Sequence, residues 1–221
     1  MLTNRIDAVI FDMDGILIDS EPVWLLAELE VMTSLGLPIK PEDIYDTVGL
    51  RIDQVVDYWY RRFPWDNYDN GAVAKQIVDG VVAHILAEGV PMKGVIEALE
   101  FCRAKGFKIG LATSSSWAII DAVLDTLNIR DCFDAIESAE HLDYGKPHPE
   151  VYLKCADALG VPARHCLAVE DSFNGLIAAR AATMQTLAIP PAHEREQARW
   201  AVAHVKAEDL TALPPLLASQ R

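Results

Sequence analysis

Ala8-Val9-Ile10-Phe11, running directly into Asp12-Met13-Asp14-Gly15, is the stretch from which the architecture can be read. Four consecutive apolar residues with no polar face describe a strand buried on both sides, as in a parallel sheet covered by helices. Side chains two residues apart leave a strand on the same side. Gly15 gives the backbone the freedom to turn out of the sheet, so Asp12 and Asp14 emerge together where the strand ends. Two carboxylates about 4 Å apart repel by roughly 4 kcal/mol at an effective dielectric of about 20. A cationic group is therefore expected among them.

Downstream the pattern becomes helical. Ser20-Glu21-Pro22 reads as a capping hydroxyl, an acid and a first-turn proline, and apolar residues then recur at helical spacing up to Gly36. Arg51 to Phe63 and Ala72 to Leu86 each present one apolar face, with a loop from Pro64 to Gly71 between them. The aromatic run Tyr58, Trp59, Tyr60, Phe63 and Trp65 is read as helix packing. After Pro91 helix and buried strand alternate: strands at 108–112, 135–137, 166–170 and 186–189, with helices at 94–105, 117–127, 149–159 and 174–182 between them. Repeated β-α units specify a doubly wound, Rossmann-like parallel α/β sheet. The strand at 6–11 must join that sheet, which divides the chain into an α/β core of residues 1–18 and 90–221 and a small helical domain of residues 19–89 inserted over the first strand's carboxyl end.

The totals exclude several classes of function. A chain of 221 residues, 51% hydrophobic and 24% charged, is an ordinary globular composition. A formal net charge of -14 argues against nucleic acid and anionic membranes as partners. Cys102, Cys132, Cys155 and Cys166 form no C-x-x-C pair and read as reduced, half-buried thiols. With no apolar run long enough to span a bilayer and no signal-like start, a cytoplasmic protein is expected.

Ligands of open α/β sheets bind beyond the carboxyl ends of the strands. Those ends carry Asp12 and Asp14, then Thr113-Ser114-Ser115, then Glu170-Asp171, while Lys146 sits in the proline-flanked loop Tyr144 to Pro149. Magnesium takes oxygen ligands, usually one or two carboxylates plus phosphate oxygens, and Asp12 and Asp171 could supply them. Hydroxyls and backbone N–H groups at a helix start suit an anion, and Lys146 adds a point charge. The set suits attack of a carboxylate on phosphorus.

These motifs resemble the haloacid dehalogenase-like hydrolases, in the family's order and across nearly the whole chain: Asp-Met-Asp-Gly at 12–15, Thr113, Lys146 and Glu170-Asp171. Asp-Gly-Ile-Leu-Ile-Asp-Ser-Glu-Pro at 14–22, Gly49-Leu50-Arg51 and Trp65 are similar to the phosphosugar phosphatase and β-phosphoglucomutase-like branch, and within it to the 2-deoxyglucose-6-phosphate (hexitol phosphate) phosphatases. The resemblance implies that Asp12 is the nucleophile, kept ionised by metal and Lys146, and that Asp14 is the general acid and base, with a raised pKa. It further implies that magnesium, for which manganese or cobalt would substitute, is held by Asp12, the Asp14 carbonyl and Asp171, with Glu170 in or just behind that set. Thr113, Ser114, Ser115, Lys146 and the Met13 stretch would bind the phosphoryl group. The inserted domain would be a cap, with Glu21, Trp24, Arg51 and Asn174 as candidates for substrate contact. A small phosphate ester is the implied substrate and a monomer the implied state.

Competing readings share parts of this set. A phosphosugar mutase of the same branch would use every core residue, but its cap histidine is matched here by Trp24. A dehalogenase needs neither magnesium nor an acid like Asp14. A phosphoacceptor signalling domain would carry its acceptor after a later strand and would lack the insertion, and a catalytically dead binding protein is disfavoured by the intact acids and lysine.

Overall fold

The computed structural model describes residue 2 and residues 5–218. The chain opens on β1 (Ala8–Phe11) and continues through α1 (Glu21–Ser34), a 3-10 turn at Pro41–Thr47, α2 (Ile52–Arg62) and α3 (Asn70–Glu88). It then alternates: α4 (Val95–Ala104), β2 (Lys108–Thr113), α5 (Trp117–Thr126), β3 (Ala135–Ser138), α6 (Glu150–Leu159), β4 (Cys166–Glu170), α7 (Phe173–Ala181) and β5 (Gln185–Ala188). Two short elements close it, β6 (Val205–Lys206) and α8 (Leu213–Leu217).

The six strands form one parallel sheet in the order β3-β2-β1-β4-β5-β6, so β1 lies between β2 and β4. Strand alternation divides its side chains between two layers. Val9, Phe11, Ile109, Leu111, Leu167 and Val169 pack with α4, α5 and α8 on one face, whereas Ala8, Ile10, Ala112 and Ala168 meet α6 and α7 on the other. The second face is built of small residues because α6 comes close: a Cβ on Gly110 would stand 2.5 Å from the Cys155 sulfur.

Helices α1, α2 and α3 contribute no strand and pack on one another, with α3 also lying on α5. Their buried residues, Trp59, Ile77 and Val81 among them, continue the apolar cluster of the α5 side of the sheet without a break. The chain leaves and returns through adjacent connections, where Ile18 bridges Pro91 and Met92 N donates to the Leu17 carbonyl at 3.0 Å. Trp59 is fully buried, and Tyr60, Trp65 and Tyr68 pack together, so the aromatic run is helix packing as expected.

Three expectations are corrected. Ser20 precedes α1 without capping it; its backbone is helical and its hydroxyl points elsewhere. The thiols are more deeply placed than half-buried, with Cys102, Cys155 and Cys166 buried and only Cys132 partly exposed. Finally, β6 and α8 fall in a region where periodicity gives no element. A two-residue strand is too short to alternate, and its pairing with β5 through Leu187 and Val205 is a tertiary fact.

Candidate active site

Because β1 is flanked by β2 and β4 in register, their carboxyl ends bring Asp12, Thr113 and Asp171 to one cavity. Lys146, arriving from the loop before α6, completes it from below. Its Nζ donates to Asp12 Oδ1 at 2.8 Å, to Glu170 Oε1 at 2.7 Å and to the Ala112 carbonyl at 3.1 Å, so all three ammonium protons are committed. Burial alone would drive Lys146 toward neutrality, but the two facing carboxylates outweigh it and hold its pKa above the usual lysine value.

Glu170 is fully buried and its acceptor capacity is full. Oε1 takes Lys146 and the Tyr152 hydroxyl at 2.6 Å; Oε2 takes the Ser172 amide at 3.3 Å and hydroxyl at 3.1 Å. Four bonds engage its four lone-pair sites, so Glu170 orients Lys146, while one of its oxygens still lies within 4.8 Å of oxygens of Asp12 and Asp171. Gly175 permits this, since a Cβ there would collide with the Glu170 carboxylate.

Asp171 is the opposite case. It lines the cavity, and among the described residues its carboxylate accepts no hydrogen bond. It rests against Gly15, whose φ of +69 and missing side chain make room for it. Burial, then Asp12, Glu170 and Asp14, raises its pKa well above the ordinary value. Asp12 is likewise pushed up to about 7, chiefly by burial and by Glu170, with Lys146 pulling the other way. The expectation of an Asp12 kept ionised by metal and Lys146 is not met by Lys146 alone: one ammonium shared with Glu170 does not offset burial plus the Glu170 and Asp14 carboxylates. A second positive charge nearby would favour the ionised form.

The donors fit such a charge. One oxygen from each of Asp12, Glu170 and Asp171 lies within 4.8 Å of the others. Octahedral magnesium with oxygens at about 2.1 Å spans roughly 3.0 to 4.2 Å between ligands, and hard carboxylate oxygens suit magnesium or manganese. The Asp14 carbonyl, which accepts no hydrogen bond among the described residues, faces the same turn.

Asp14 itself is held by three donors. Ser20 Oγ at 2.6 Å and Trp24 Nε1 at 2.8 Å reach Oδ1, and Ser115 Oγ at 2.6 Å reaches Oδ2. Ser115 is fixed in turn: its amide donates to Thr113 Oγ1 at 3.0 Å and its carbonyl accepts from Ser138 Oγ at 2.6 Å. Asp12, Asp14, Glu21, Trp24, Thr113, Ser114, Ser115, Lys146 and Asp171 all face the cavity. Four other expected residues do not. Met13 is buried in the core, and its carbonyl accepts from Leu17 N at 2.8 Å to form the turn; Glu170 lies behind Lys146.

Arg51 and Asn174, expected as candidates for substrate contact, lie outside this cavity and tie elements together. The Arg51 guanidinium grips Asp53 at 2.6 and 2.8 Å and donates to the Ala139 and Leu142 carbonyls at 2.8 and 2.5 Å, committing four of its five N–H donors within the protein. Asn174 donates to the Val48 carbonyl at 3.0 Å, beside the Ser114 hydroxyl on the Gly49 carbonyl at 3.1 Å. Sequence reasoning missed Tyr152, Ser20 in its actual role, and Glu28, which lines the cavity from α1. Glu28, four residues after Trp24, had only helical spacing to betray it, and Tyr152, on α6 beyond the Lys146 loop, had no local signal.

Comparison with known proteins accords with this geometry. The model of the haloacid dehalogenase-like hydrolase family matches residues 6–183. The chain belongs to that family. It is 47% identical over 215 residues to hexitol phosphatase B of Escherichia coli strain K12, covering 95% of each chain. It is 32% identical over 192 residues to the fructose-1-phosphate phosphatase YqaB of the same organism, covering 83% of this chain and 96% of that one. In fold it is similar to CbbY of Rhodobacter sphaeroides, at a TM-score of 0.85 with 23% identity over 94% of this chain and 96% of that one. This haloacid dehalogenase-like hydrolase thus has the parallel sheet, with the first strand inside it, that its sequence predicts.

Proposed function

We propose that the protein is a divalent-cation-dependent phosphatase of small sugar phosphates, namely hexose, 2-deoxyhexose or hexitol phosphates, working through an aspartyl-phosphate. The observation that carries this reading is the pairing of Asp12 and Asp14 in one cavity with Lys146 on a single oxygen of Asp12. Asp12 Oδ2 accepts no hydrogen bond among the described residues and is free to attack. Similarity to hexitol phosphatase B supports the substrate class.

In the first step an Asp12 oxygen forms a bond to phosphorus as the P–O bond to the sugar breaks, and the departing oxygen takes a proton from Asp14. In the second, Asp14 accepts a proton from water, the water oxygen bonds to phosphorus, and the bond to Asp12 breaks, releasing phosphate. The Thr113 hydroxyl and Ser114 position the phosphoryl group, Lys146 acts on it as a nearby positive charge held on Asp12 and Glu170, and the work is mostly positioning and charge stabilisation. Asp12, Asp171 and the Asp14 carbonyl would hold magnesium, with manganese or cobalt substituting; when bound it supplies the missing positive charge. Residues 19–89 act as a cap that excludes water, moving on the paired connections near Ile18 and Pro91.

Trp24 favours hydrolysis over a mutase reaction, because its indole N–H only donates and cannot carry a proton between substrate oxygens. Among the described residues no helix is long and apolar enough to cross a membrane, and three buried free thiols suit a reducing compartment; a cytoplasmic monomer completes the reading. The test is phosphate release from a panel of hexose, deoxyhexose and hexitol phosphates with magnesium and then with chelator. Turnover should vanish with chelator and in Asp12→Asn, while Asp14→Asn should either trap the phosphoenzyme or be inactive. Turnover that survives both substitutions removes the mechanism.

A further inference from the structure

Glu28 lies on α1 one turn beyond Trp24 and faces the same cavity. Four residues advance a helix by about 6 Å. Trp24 touches Asp14, the group beside the departing oxygen, so Glu28 stands about one helical turn further along α1 from that point, where the rest of an esterified molecule would extend. Its surroundings in the cavity are largely apolar: Leu25, Ile44 and Val55 line the wall around it. The side chain is 6% exposed, and its Oε2 has no hydrogen-bond partner. The neighbouring Thr47 hydroxyl is a poor donor to it, because that proton goes to the Ile44 carbonyl at 2.9 Å.

A buried polar atom left unpaired costs about 1–3 kcal/mol. An acid kept in such a place, at the wall of an active-site cavity, has a use for a partner arriving from outside. Burial raises its pKa to about 8, with Thr47 partly opposing, so at neutral pH the group is a carboxylic acid. In that form it both donates and accepts, which matches the hydrogen-bonding capacity of an alcohol. Being neutral, it also does not repel the phosphate of the same substrate.

We propose that Glu28 is a specificity-determining residue whose carboxyl hydrogen-bonds a hydroxyl of the substrate's sugar or polyol chain while Asp12 and Asp14 act on its phosphate. The proposal rests on the phosphatase reading and deepens it by assigning the residue that meets the substrate's hydroxyls. A site built around a buried polar group discriminates strongly against molecules that leave it unpaired.

The experiment compares wild type, Glu28→Leu and Glu28→Gln on sorbitol 6-phosphate and on phenyl phosphate, which has no hydroxyl to offer, with folding checked by thermal unfolding. In Glu28→Leu the KM for sorbitol 6-phosphate should rise about tenfold or more with kcat within about threefold, while phenyl phosphate turnover stays within about twofold. Glu28→Gln, which keeps a donor and an acceptor, should remain within about threefold of wild type on both. An unchanged KM in Glu28→Leu overturns the proposal. So does a parallel loss on both substrates, which marks a structural role, or a Glu28→Gln as impaired as Glu28→Leu. Wild-type turnover of phenyl phosphate but of no sugar phosphate sinks the substrate class and leaves the Asp12 chemistry standing; turnover of neither sinks both.

Discussion

Lys146 is surrounded by three acceptors and is 1% exposed, so its charge is the sole direct counterweight to Asp12 and Glu170 among the described residues. Replacing it by methionine leaves two buried carboxylates facing each other. A loss of about 3–5 kcal/mol is expected in urea unfolding at neutral pH, together with loss of phosphate release. The stability deficit should shrink as pH falls to about 5, because Asp12, already raised to about 7, then takes up a proton and the repulsion is relieved. Gly15 is equally constrained. Its φ of +69 and the Asp171 carboxylate against it leave no place for a side chain. Gly15→Ala is expected to lower turnover by about a hundredfold or more by displacing Asp171, and to weaken the magnesium dependence of the rate. The positions of Asp12, Thr113 and Asp171 at one cavity were legible from their strand ends, and that of Lys146 from its proline-flanked loop before α6. The roles of Arg51 and Asn174 were not, because whether a guanidinium or amide meets a ligand or a carbonyl depends on loops distant in sequence.

Among the elements, α2 is fastened to the sheet side by Arg51, whose Nη1 reaches carbonyls 88 and 91 residues away. Arg51→Met removes both bonds and the grip on Asp53. It is expected to raise the substrate KM by about three- to tenfold through a looser helical layer, with kcat less affected and a stability loss of about 1–3 kcal/mol; steady-state kinetics and thermal unfolding measure the two effects. A larger fall in kcat than in affinity would mean that the guanidinium serves the chemistry. Most elements were legible, since β1 is a continuous apolar run, β2 and β4 are mostly apolar, and α2 carries one apolar face. The three-residue 3-10 turns and β6 were not, because their stabilisation comes from pairing and packing and leaves no period in the sequence.

Over the whole molecule, the concentration of acid sets how stability responds to pH and metal. Asp12 at about 7 and Glu28 at about 8 both lie above their unfolded values. Between roughly pH 4 and 8 the folded state therefore binds protons that the unfolded chain has released. By linkage the metal-free protein loses stability as pH rises through that window, which urea midpoints from about pH 5 to 8 will measure. Glu28→Gln should flatten the upper part of the curve. Magnesium at about a hundred times its dissociation constant should restore roughly 2.7 kcal/mol. What the sequence by itself determined is the sheet, its strand-end acids and the lysine, because a buried parallel strand must be continuously apolar and must end where its polar residues begin. What only the tertiary structure decided is which groups face one another. Ser115 meets Asp14 across 101 residues, Lys146 meets Asp12 across 134, and Glu28 turns inward while Arg51 turns away. Those pairings follow from how the helical layer settles on the sheet, a long-range packing outcome that no local pattern encodes.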